Sequence, residues 1–380
     1  MSAYESKDYS VAGSYIPGTH PDLPPPVSTI GPIAWVRINL FSTTFNAVMT
    51  VLCALFLWAI IPPIFEWIVL DSIWTADSRK ECWDKMEVPE DGACWAFIKN
   101  RIQLFIYGFY PHPLRWRVNL SFVLLILAIV PVLYGNMPGR KYGLWFSAAF
   151  PFIAGWLLAG GFGMMPVDTD RFGGILLTLV IGVTGITFSL PIGILLALGR
   201  RSSMPVLRIV CIAFIELIRG VPLIALLFIA SSMLNFFLPP GTVFDLLIRV
   251  LIMVTLFSSA YIAEVVRGGL QGIPVGQHEA AHALGLTYMK SHLLIILPQA
   301  LKISIPGIVN TFIGLFKDTT LVLIIGMLDP LGIGRASLAD AVWAGLAREV
   351  YLFVALFFLV CCFSMSRYSL YLEKKLHTGY

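Results

Sequence analysis

Charged side chains are scarce in this chain of 380 residues. Asp, Glu, Lys and Arg make up 13% of it, whereas hydrophobic residues make up 58%. A soluble protein carries about 25% charged residues, so this chain has too few polar side chains to cover a water-facing surface. Its formal net charge of +4 comes without a basic cluster, which argues against a nucleic-acid-binding protein. The composition predicts a protein whose surface lies mostly in membrane lipid.

The sequence also lacks the usual patterns of catalytic chemistry. No G-x-x-x-x-G-K-[ST] loop is present to hold ATP phosphates, and no Ser/His/Asp set stands out. The six cysteines form no CxxC pair, so we expect neither a metal site nor a cofactor. His278 and His282 are four residues apart, but we interpret them as solvent-facing neighbours rather than metal ligands. These absences indicate that the chain is not an enzyme.

Long apolar runs are abundant instead. A membrane helix needs about 20 mostly apolar residues, and eight segments meet this requirement. They are Asn46–Leu70, Asn119–Tyr134, Leu144–Met164, Gly174–Leu198, Phe214–Phe237, Val243–Val265, Leu293–Phe316 and Val350–Leu370. The sequence therefore predicts an all-α integral membrane protein with about eight transmembrane helices.

Basic residues predict the orientation of these helices. They follow the second, fourth, sixth and eighth segments, as Arg140 and Lys141, Arg200 and Arg201, Arg267, and Lys374 and Lys375. Alternating helices place all these loops on one side, which is the cytoplasm by the positive-inside rule. We therefore expect cytoplasmic N- and C-termini in a bacterial inner membrane. The start of the chain is polar and rich in proline, and it does not have the pattern of a signal peptide.

The chain divides into three predicted parts. Residues 1–45 form a cytoplasmic tail, in which Ile33–Phe41 is a candidate interfacial helix with Trp35 as its anchor. Residues 46–170 form a three-helix extension without recognisable chemistry, and residues 171–380 carry all the motifs described below. We see no internal repeat of the kind that builds many secondary transporters.

A polar loop over residues 71–118 separates the first two predicted spans and faces outward in this orientation. It contains Cys82 and Cys94. Because the outer compartment is oxidising, a disulfide between these two cysteines is favoured over two free thiols. This inference rests on the compartment alone.

The strongest motif lies between the sixth and seventh predicted spans. It consists of Glu279-Ala280-Ala281, Gly285 and Ile295-x-Leu297-Pro298. This pattern resembles the EAA motif of permease subunits of bacterial ATP-binding-cassette (ABC) importers, which reads E-A-A, three residues, G, nine residues, I-x-L-P. The resemblance implies that loop 266–292 carries a coupling helix that docks on a separate ATPase subunit. An ordinary amphipathic connector is the alternative, and it leaves the downstream Ile-x-Leu-Pro unexplained.

The residues of this loop fit that role. Good helix formers fill Gln277–Leu284, and Pro274 and Gly276 precede them as helix breakers. Gly285 can adopt the left-handed conformation that ends a helix. The small side chains keep the helix thin enough to enter a groove, and Glu279 can pair with an arginine of the partner. The predicted coupling residues are Gln277, Glu279, Ala280, Ala281, Ala283, Leu284, Gly285 and Leu286.

Three further stretches resemble the polar and general L-amino-acid permeases of this class. They contain Glu216-x-x-Arg219-Gly220-x-Pro222, Ala263-Glu264-x-x-Arg267-Gly268-Gly269 with Gly276-Gln277, and Lys317-Asp318-Thr319-Thr320-Leu321. The resemblance covers residues 171–380 and implies a five-helix type I importer core, preceded here by three extra helices. We expect Glu216 to pair with Arg219, and Glu264 with Arg267, one helical turn apart. A structural role is favoured over substrate contact for these pairs and for Pro298.

Polar residues inside the seventh span are candidates for the substrate path, since polar groups in lipid usually face a cavity or a partner. Asn310 and Thr311 could hydrogen-bond an amino-acid backbone, although interhelical hydrogen bonds are the common alternative. Asp318, Thr319 and Thr320 follow at the outward end, where Asp318 either receives substrate or caps the helix.

The resemblance therefore implies an importer of L-amino acids, of broad or polar specificity. Its expected partners are a second, non-identical permease, two copies of an ABC ATPase, a periplasmic amino-acid-binding protein and membrane lipid. Three alternatives belong to other classes. An ion-coupled secondary transporter needs buried acids in mid-membrane, and the apolar runs supply few. A membrane enzyme needs a catalytic set of residues. A structural scaffold leaves the loop motif unexplained.

Overall fold

The computed structural model describes residues 31–88, 91–135, 137–233 and 244–376. These ranges are helical, with two isolated β-bridges and no longer strand within them. The predicted all-α class is confirmed. The ends of two predicted spans, Phe237 and Val243, lie outside the described residues, as does most of the predicted tail.

The chain divides into two compact units, residues 1–71 and residues 72–380. The first unit contains α1 (Gly31–Leu40) and α2 (Thr44–Phe65). The hydroxyl of Thr43 begins α2 by accepting a hydrogen bond from the backbone N–H of Asn46, at 3.1 Å. The helix at α1 agrees with the predicted one, and Trp35 within it is exposed.

The second unit contains the remaining helices of the described chain. They are α3 (Arg79–Asp84), α4 (Trp95–Tyr107), α5 (Arg115–Leu133), α6 (Arg140–Ala159), α7 (Gly174–Arg200), α8 (Pro205–Gly220), α9 (Leu223–Phe228), α10 (Leu246–Gln271), α11 (Val275–Ala283), α12 (Tyr288–Ser291), α13 (Leu297–Asp318), α14 (Pro330–Ser337) and α15 (Ala347–Leu376). Central helix α7 packs against α10, and α10 packs against α13, which in turn contacts α15.

Seven helical runs of the described chain are long and apolar enough to cross a membrane, and α8 with α9 forms a further, bent pair. This agrees with about eight predicted spans. The fifth predicted span, Phe214–Phe237, is not straight, since the chain turns by 101° between α8 and α9. Pro222 causes the break: it lacks an N–H, and it holds Val221 in an extended conformation with φ −109° and ψ 131°.

Among the apolar clusters of the second unit, two lie towards opposite ends of α7. The first gathers residues such as Tyr110, Leu176 and Val254. The second gathers residues such as Ala197 and Ile262. With a rise of 1.5 Å per residue, the 27 residues of α7 extend about 40 Å, so the two ends of the bundle are far apart. We call them the disulfide end, which carries Cys82 and Cys94, and the α11 end.

The disulfide end is tied together across the sequence. Cys82 and Cys94 form a disulfide with a Cα–Cα distance of 6.0 Å, and both side chains are fully buried. The backbone N–H of Cys94 donates to the carboxylate of Glu349 at the start of α15, at 3.1 Å. Arg101 of α4 forms an ion pair with Asp340, in the segment between α14 and α15. The predicted outward loop is therefore packed onto the last helices of the chain.

Candidate functional site: the coupling helix and its ion cluster

The predicted coupling segment forms a helix of its own, α11. It spans Val275–Ala283, two residues earlier at its start than the predicted Gln277–Leu284. Pro274 is its N-cap residue, while Gly276 lies inside the helix rather than before it. Glu279 consequently falls in the second turn, beyond the region where the helix dipole favours a carboxylate most.

The C-terminal end of α11 is capped as the motif predicted. Gly285 has φ +68°, in the left-handed region. Its N–H donates to the carbonyl of His282 at 2.9 Å, and the N–H of Leu286 donates to the carbonyl of Ala281 at 3.2 Å. This pair of hydrogen bonds is the Schellman motif, which satisfies carbonyls that the helix end leaves open. The glycine of the EAA motif is thus required by backbone conformation.

Most of α11 is open to a partner. Ala281 is buried against the bundle, whereas Glu279, Ala280, Ala283 and Leu284 are exposed. The Glu279 carboxylate forms no hydrogen bond or ion pair with the described residues. A short helix with a free carboxylate and small side chains on its open face is suited to enter a groove of another protein.

Close contacts connect α11 to the helices on either side of it. Gln299, near the start of α13, donates from its amide to the Gln277 side chain at 3.1 Å. At the end of α10, a Cβ on Gly269 would lie 2.5 Å from the carbonyl oxygen of Ala300, which is closer than side chains tolerate. Ser304 adds a hydrogen bond from α13 to the carbonyl of Val265 at 3.2 Å. Helices α10 and α13 therefore meet backbone to backbone beside α11.

An ion cluster lies at the same end of the bundle, centred on Glu264 of α10. Its carboxylate contacts three guanidinium groups, from Arg200 of α7, Arg219 of α8 and Arg267 of α10. The Arg267 contact is 2.8 Å and the Arg219 contact is 3.8 Å. The Glu264 side chain is 15% exposed. One carboxylate thus joins three helices close to α11.

The predicted pairing of these residues was right for one pair and wrong for the other. Glu264 does pair with Arg267. Glu216 does not pair with Arg219 in the described structure, because it contacts Arg200 at 3.0 Å while Arg219 points to Glu264. Sequence reasoning used Arg200 only as a sign of orientation and missed its place in the cluster. Arg200 lies 64 residues from Glu264 in the sequence, and no local sequence pattern links the two residues.

The remaining motif residues lie where helices begin, end or change direction. Gly220 and Pro222 form the break between α8 and α9. Pro298 lies in the first turn of α13, directly after the π-helical turn His292–Ile296.

The five predicted substrate-path residues do not behave alike. The hydroxyls of Thr311, Thr319 and Thr320 donate to carbonyls of their own helical turns, at 2.8–3.0 Å. Asn310 is exposed on α13, and its amide has no partner among the described residues. Asp318 is half-buried at the end of α13 and is likewise in no ion pair there. Asn310 and Asp318 are thus the two with free polar groups.

A buried arginine was not singled out from the sequence. Arg249 lies in α10 near the disulfide end and is 8% exposed. It donates to the carbonyls of Ala230 and Ser231, at 3.2 and 2.6 Å. These two residues lie in the helical turn that follows α9. An ionisable residue inside an apolar run is the signal that would have found it.

The histidines of the α11 end form no metal-binding group. His278 lies with its ring 5.9 Å from that of His292, rather than beside His282. Burial, the nearby His292 and the charge of Arg201 lower the pKa of His278. In the described ranges, no three His, Cys, Asp or Glu side chains are grouped as metal ligands would be.

Comparison with known proteins decides the family. The model of the binding-protein-dependent transport system inner membrane component matches residues 189–378, and this range includes α11 and Glu264. This chain belongs to that family. A relative of nearly full length is the inner membrane amino-acid ABC transporter permease protein YhdY of Escherichia coli (strain K12). It is 48% identical over 95% of this chain and 97% of its own length.

Two other relatives show how the match is distributed. The glutamate/glutamine/aspartate/asparagine transport system permease protein BztC of Rhodobacter capsulatus is 45% identical over 93% of this chain and 95% of its own. The probable glutamine ABC transporter permease protein GlnM of Bacillus subtilis is 35% identical over 53% of this chain and 91% of its own. Among solved structures, an amino acid ABC transporter with histidines is 30% identical. The match covers 53% of this chain and 92% of the chain in the solved structure, with a TM-score of 0.47.

Proposed function

We propose that this family member is the permease subunit of an ATP-driven importer that moves L-amino acids into the cytoplasm. The observation that carries this is α11, an exposed and capped helix in a chain whose near full-length relatives are named as amino-acid permease proteins. The chain is a transport subunit, and ATP hydrolysis belongs to a separate ATPase. An ion-coupled transporter, the alternative from the sequence, has no support among these relatives.

The contacts around α11 suggest how the two proteins are coupled. An ATPase that holds α11 in a groove moves it when ATP binds. The Gln277–Gln299 hydrogen bond and the close packing at Gly269 pass this movement to α10 and α13 together. The Glu264 cluster extends the moving unit to α7 and α8. Because interiors are close-packed, these helices shift as a body rather than bend.

Our proposal for the assembly includes a second, non-identical permease, two ATPase copies and an external amino-acid-binding protein. The free amide of Asn310 supports the second permease. A polar group exposed in an apolar span is costly in lipid, so it is expected to face a partner helix or a substrate path. Asp318 is the second candidate on this path. We further propose cytoplasmic N- and C-termini, which the placement of basic residues supports.

The division into extension and core also remains a proposal. The shorter Bacillus relative matches 53% of this chain but 91% of itself, which supports a common core preceded here by additional helices. The extension contacts the core through α4 and α6, which both pack on α7.

The test is uptake of radiolabelled amino acids by proteoliposomes that contain the complex purified with this chain. Glutamate, alanine and arginine cover the three side-chain charges. The variant Glu279→Ala/Gly285→Ala removes the free carboxylate and strains the cap of α11, since a Cβ at φ +68° costs about 1–2 kcal/mol. The control is Asp84→Ala, which removes an exposed carboxylate of α3, outside α11.

We expect ATP-dependent uptake in the wild type and in Asp84→Ala. The double variant should lose uptake, either with the ATPase still bound or through loss of the ATPase alone from the complex. Uptake driven by an ion gradient without ATP would contradict the function. Full uptake by the double variant would contradict the coupling role of α11 alone.

A further inference from the structure

A large apolar groove lies between the extension and the core, at the disulfide end of the second unit. Helices α5, α6, α7 and α10 enclose it, and its volume is about 470 Å³. All four helices are among the runs that can cross a membrane. The groove therefore lies between candidate spans, near one end of them.

The lining excludes water and suits a hydrocarbon. Phenylalanine and aliphatic side chains form most of it, including Phe150, Leu158 and Leu176. Apolar cavities of this kind stay dry. If left empty, the lining atoms would lose dispersion contacts, at a cost that grows with the cavity volume. The groove is therefore apolar and large enough to take a hydrocarbon chain.

The groove opens on the outer side of α6. Phe152 and Gly155 both line it and are both exposed on the surface of the chain. A Cβ on Gly155 would meet no atom within 4 Å, so the wall is open at this point. Since α6 is a candidate membrane span, this opening faces the surroundings from which a lipid chain enters.

One buried polar group in the lining has no partner. Ser121 of α5 is 4% exposed, and its hydroxyl makes no hydrogen bond with any described residue. Ser337, for comparison, donates to the carbonyl four residues earlier, whereas Ser258 is buried without a partner, as Ser121 is. Ser121 differs from Ser258 in that it lines the groove, so a molecule bound there can supply the missing acceptor.

Charges of both signs lie at the same end of the groove. Arg117 is one turn from Ser121 on the same face of α5, about 6 Å along the helix axis. It is 4% exposed, and its Nη1 donates to the carbonyl of Met165 at 2.7 Å, while its Nε has no partner in the described structure. Across the groove, Thr169 lines the wall and donates to the carboxylate of Asp245, which also accepts the N–H of Ile248 at the start of α10. A guanidinium and a carboxylate thus lie just behind the lining, next to Ser121 and Thr169 respectively.

We propose that this groove binds one membrane phospholipid whose headgroup carries both a phosphate and an ammonium. One acyl chain fills the apolar space between α6 and α7. The Ser121 hydroxyl donates to an ester carbonyl, with the phosphate on the side of Arg117 and the ammonium on the side of Asp245. The lipid fills the joint between the extension and the core and holds them together.

The first test measures lipid retention by the purified complex with native mass spectrometry. The complex is exchanged into phosphatidylethanolamine or phosphatidylglycerol and washed with detergent. We expect one retained phosphatidylethanolamine per copy of the chain. Gly155→Leu fills the groove and should lower retention at least 5-fold. The matched control is Ala149→Leu, which enlarges an exposed position of α6 outside the groove. Ser121→Ala should lower retention about 3- to 10-fold, as expected for one lost hydrogen bond.

Equal retention by wild type, Gly155→Leu and Ser121→Ala would overturn the site. Equal retention of phosphatidylglycerol would overturn the headgroup assignment. A second test places the photo-crosslinker p-benzoylphenylalanine at Phe152, an aromatic replacement for an aromatic residue. In membranes we expect an adduct of phospholipid mass. An adduct with the partner permease would overturn the proposal, because a protein side chain would then fill the groove.

Discussion

At the scale of single residues, Glu264 is the side chain on which the α11 end depends most. It is 15% exposed and faces Arg200, Arg219 and Arg267. Charges removed from water are stabilised only while they are paired. Replacing this carboxylate leaves three guanidinium groups with Glu216 as the remaining acid of the cluster.

We therefore expect Glu264→Gln to destabilise the complex by about 1–3 kcal/mol, the cost of leaving partly buried polar groups without their partner. Glu216→Gln is the matched control, because that side chain is 55% exposed and forms one ion pair in the described structure. It should cost less than about 1 kcal/mol. Thermal unfolding of both variants, followed by size-exclusion chromatography, measures the difference. Equal losses would show that Glu264 is not the centre of the cluster.

The Glu264 cluster also shows what sequence could predict at this scale. The Glu264–Arg267 pair is local, and helix periodicity is enough to place it. The Glu216–Arg219 pair has the same spacing but does not form, because Arg200 from α7 competes for Glu216. Local spacing predicts which residues are near one another, whereas the packing of other helices decides which of them pair.

At the scale of helices, α14 begins with an unusual cap. The Asp329 carboxylate accepts a hydrogen bond from the N–H of Gly332 at 2.8 Å, which is the usual geometry of an N-cap. The residue is fully buried, however, and its other carboxylate oxygen has no partner among the described residues. Burial raises the pKa of Asp329 from 3.8 to about 6, in spite of the hydrogen bond from Gly332.

This pKa implies a stability that decreases as pH rises. The folded state binds the proton more tightly than the unfolded state, so folding is favoured while Asp329 is protonated. The free energy of unfolding should fall between about pH 4 and pH 6, by about 3 kcal/mol in all. Asp329→Asn keeps an acceptor for Gly332 and removes the charge. We expect it to match the wild type near pH 4 and to be more stable at pH 7.5.

Melting temperatures of both complexes between pH 4 and pH 8 test this. The control Asp84→Asn removes one carboxylate from an exposed position. A difference between Asp329→Asn and wild type that is the same at every pH would contradict the prediction.

The positions of helix ends followed from sequence only where local chemistry determines them. Gly285 ends α11 because left-handed backbone is needed there, and the sequence predicted this. Helix α11 begins two residues before the predicted Gln277, because Gly276 lies inside the helix, where a glycine is tolerated at moderate cost. The bend at Pro222 was missed since its apolar neighbours on both sides resemble one continuous span.

At the scale of the whole molecule, the second unit has two different ends. Residues of the α11 end come from α7, α8, α10 and α13, which all lie in the region matched by the family model or at its start. Residues of the disulfide end come from both ends of the chain, since α4 packs on α14 and α15. Hydropathy could predict the spans, but it could not predict this long-range packing, which depends on contacts between residues about 240 positions apart.

Arg101 and Asp340 test whether the two parts of the disulfide end are joined as the structure has them. Both side chains are about one-third exposed, so the ion pair contributes about 0.2–1 kcal/mol. Beside it, the ring of Phe97 lies 5.6 Å from that of Trp343, and this apolar contact holds the charges together. Reversing one charge puts two like charges in contact and should lower the melting temperature of the complex. Reversing both, as Arg101→Asp/Asp340→Arg, restores the attraction.

The double variant should regain part of the stability but not all, because the Asp340 carboxylate also accepts a hydrogen bond from the N–H of Val342 at 3.0 Å. The four proteins form a double-mutant cycle, in which a coupling between the two sites appears as non-additive changes of melting temperature. Additive changes would mean that the two side chains do not form the ion pair. A recovered double variant would mean that they do, and that α4 and the segment before α15 are joined at this point.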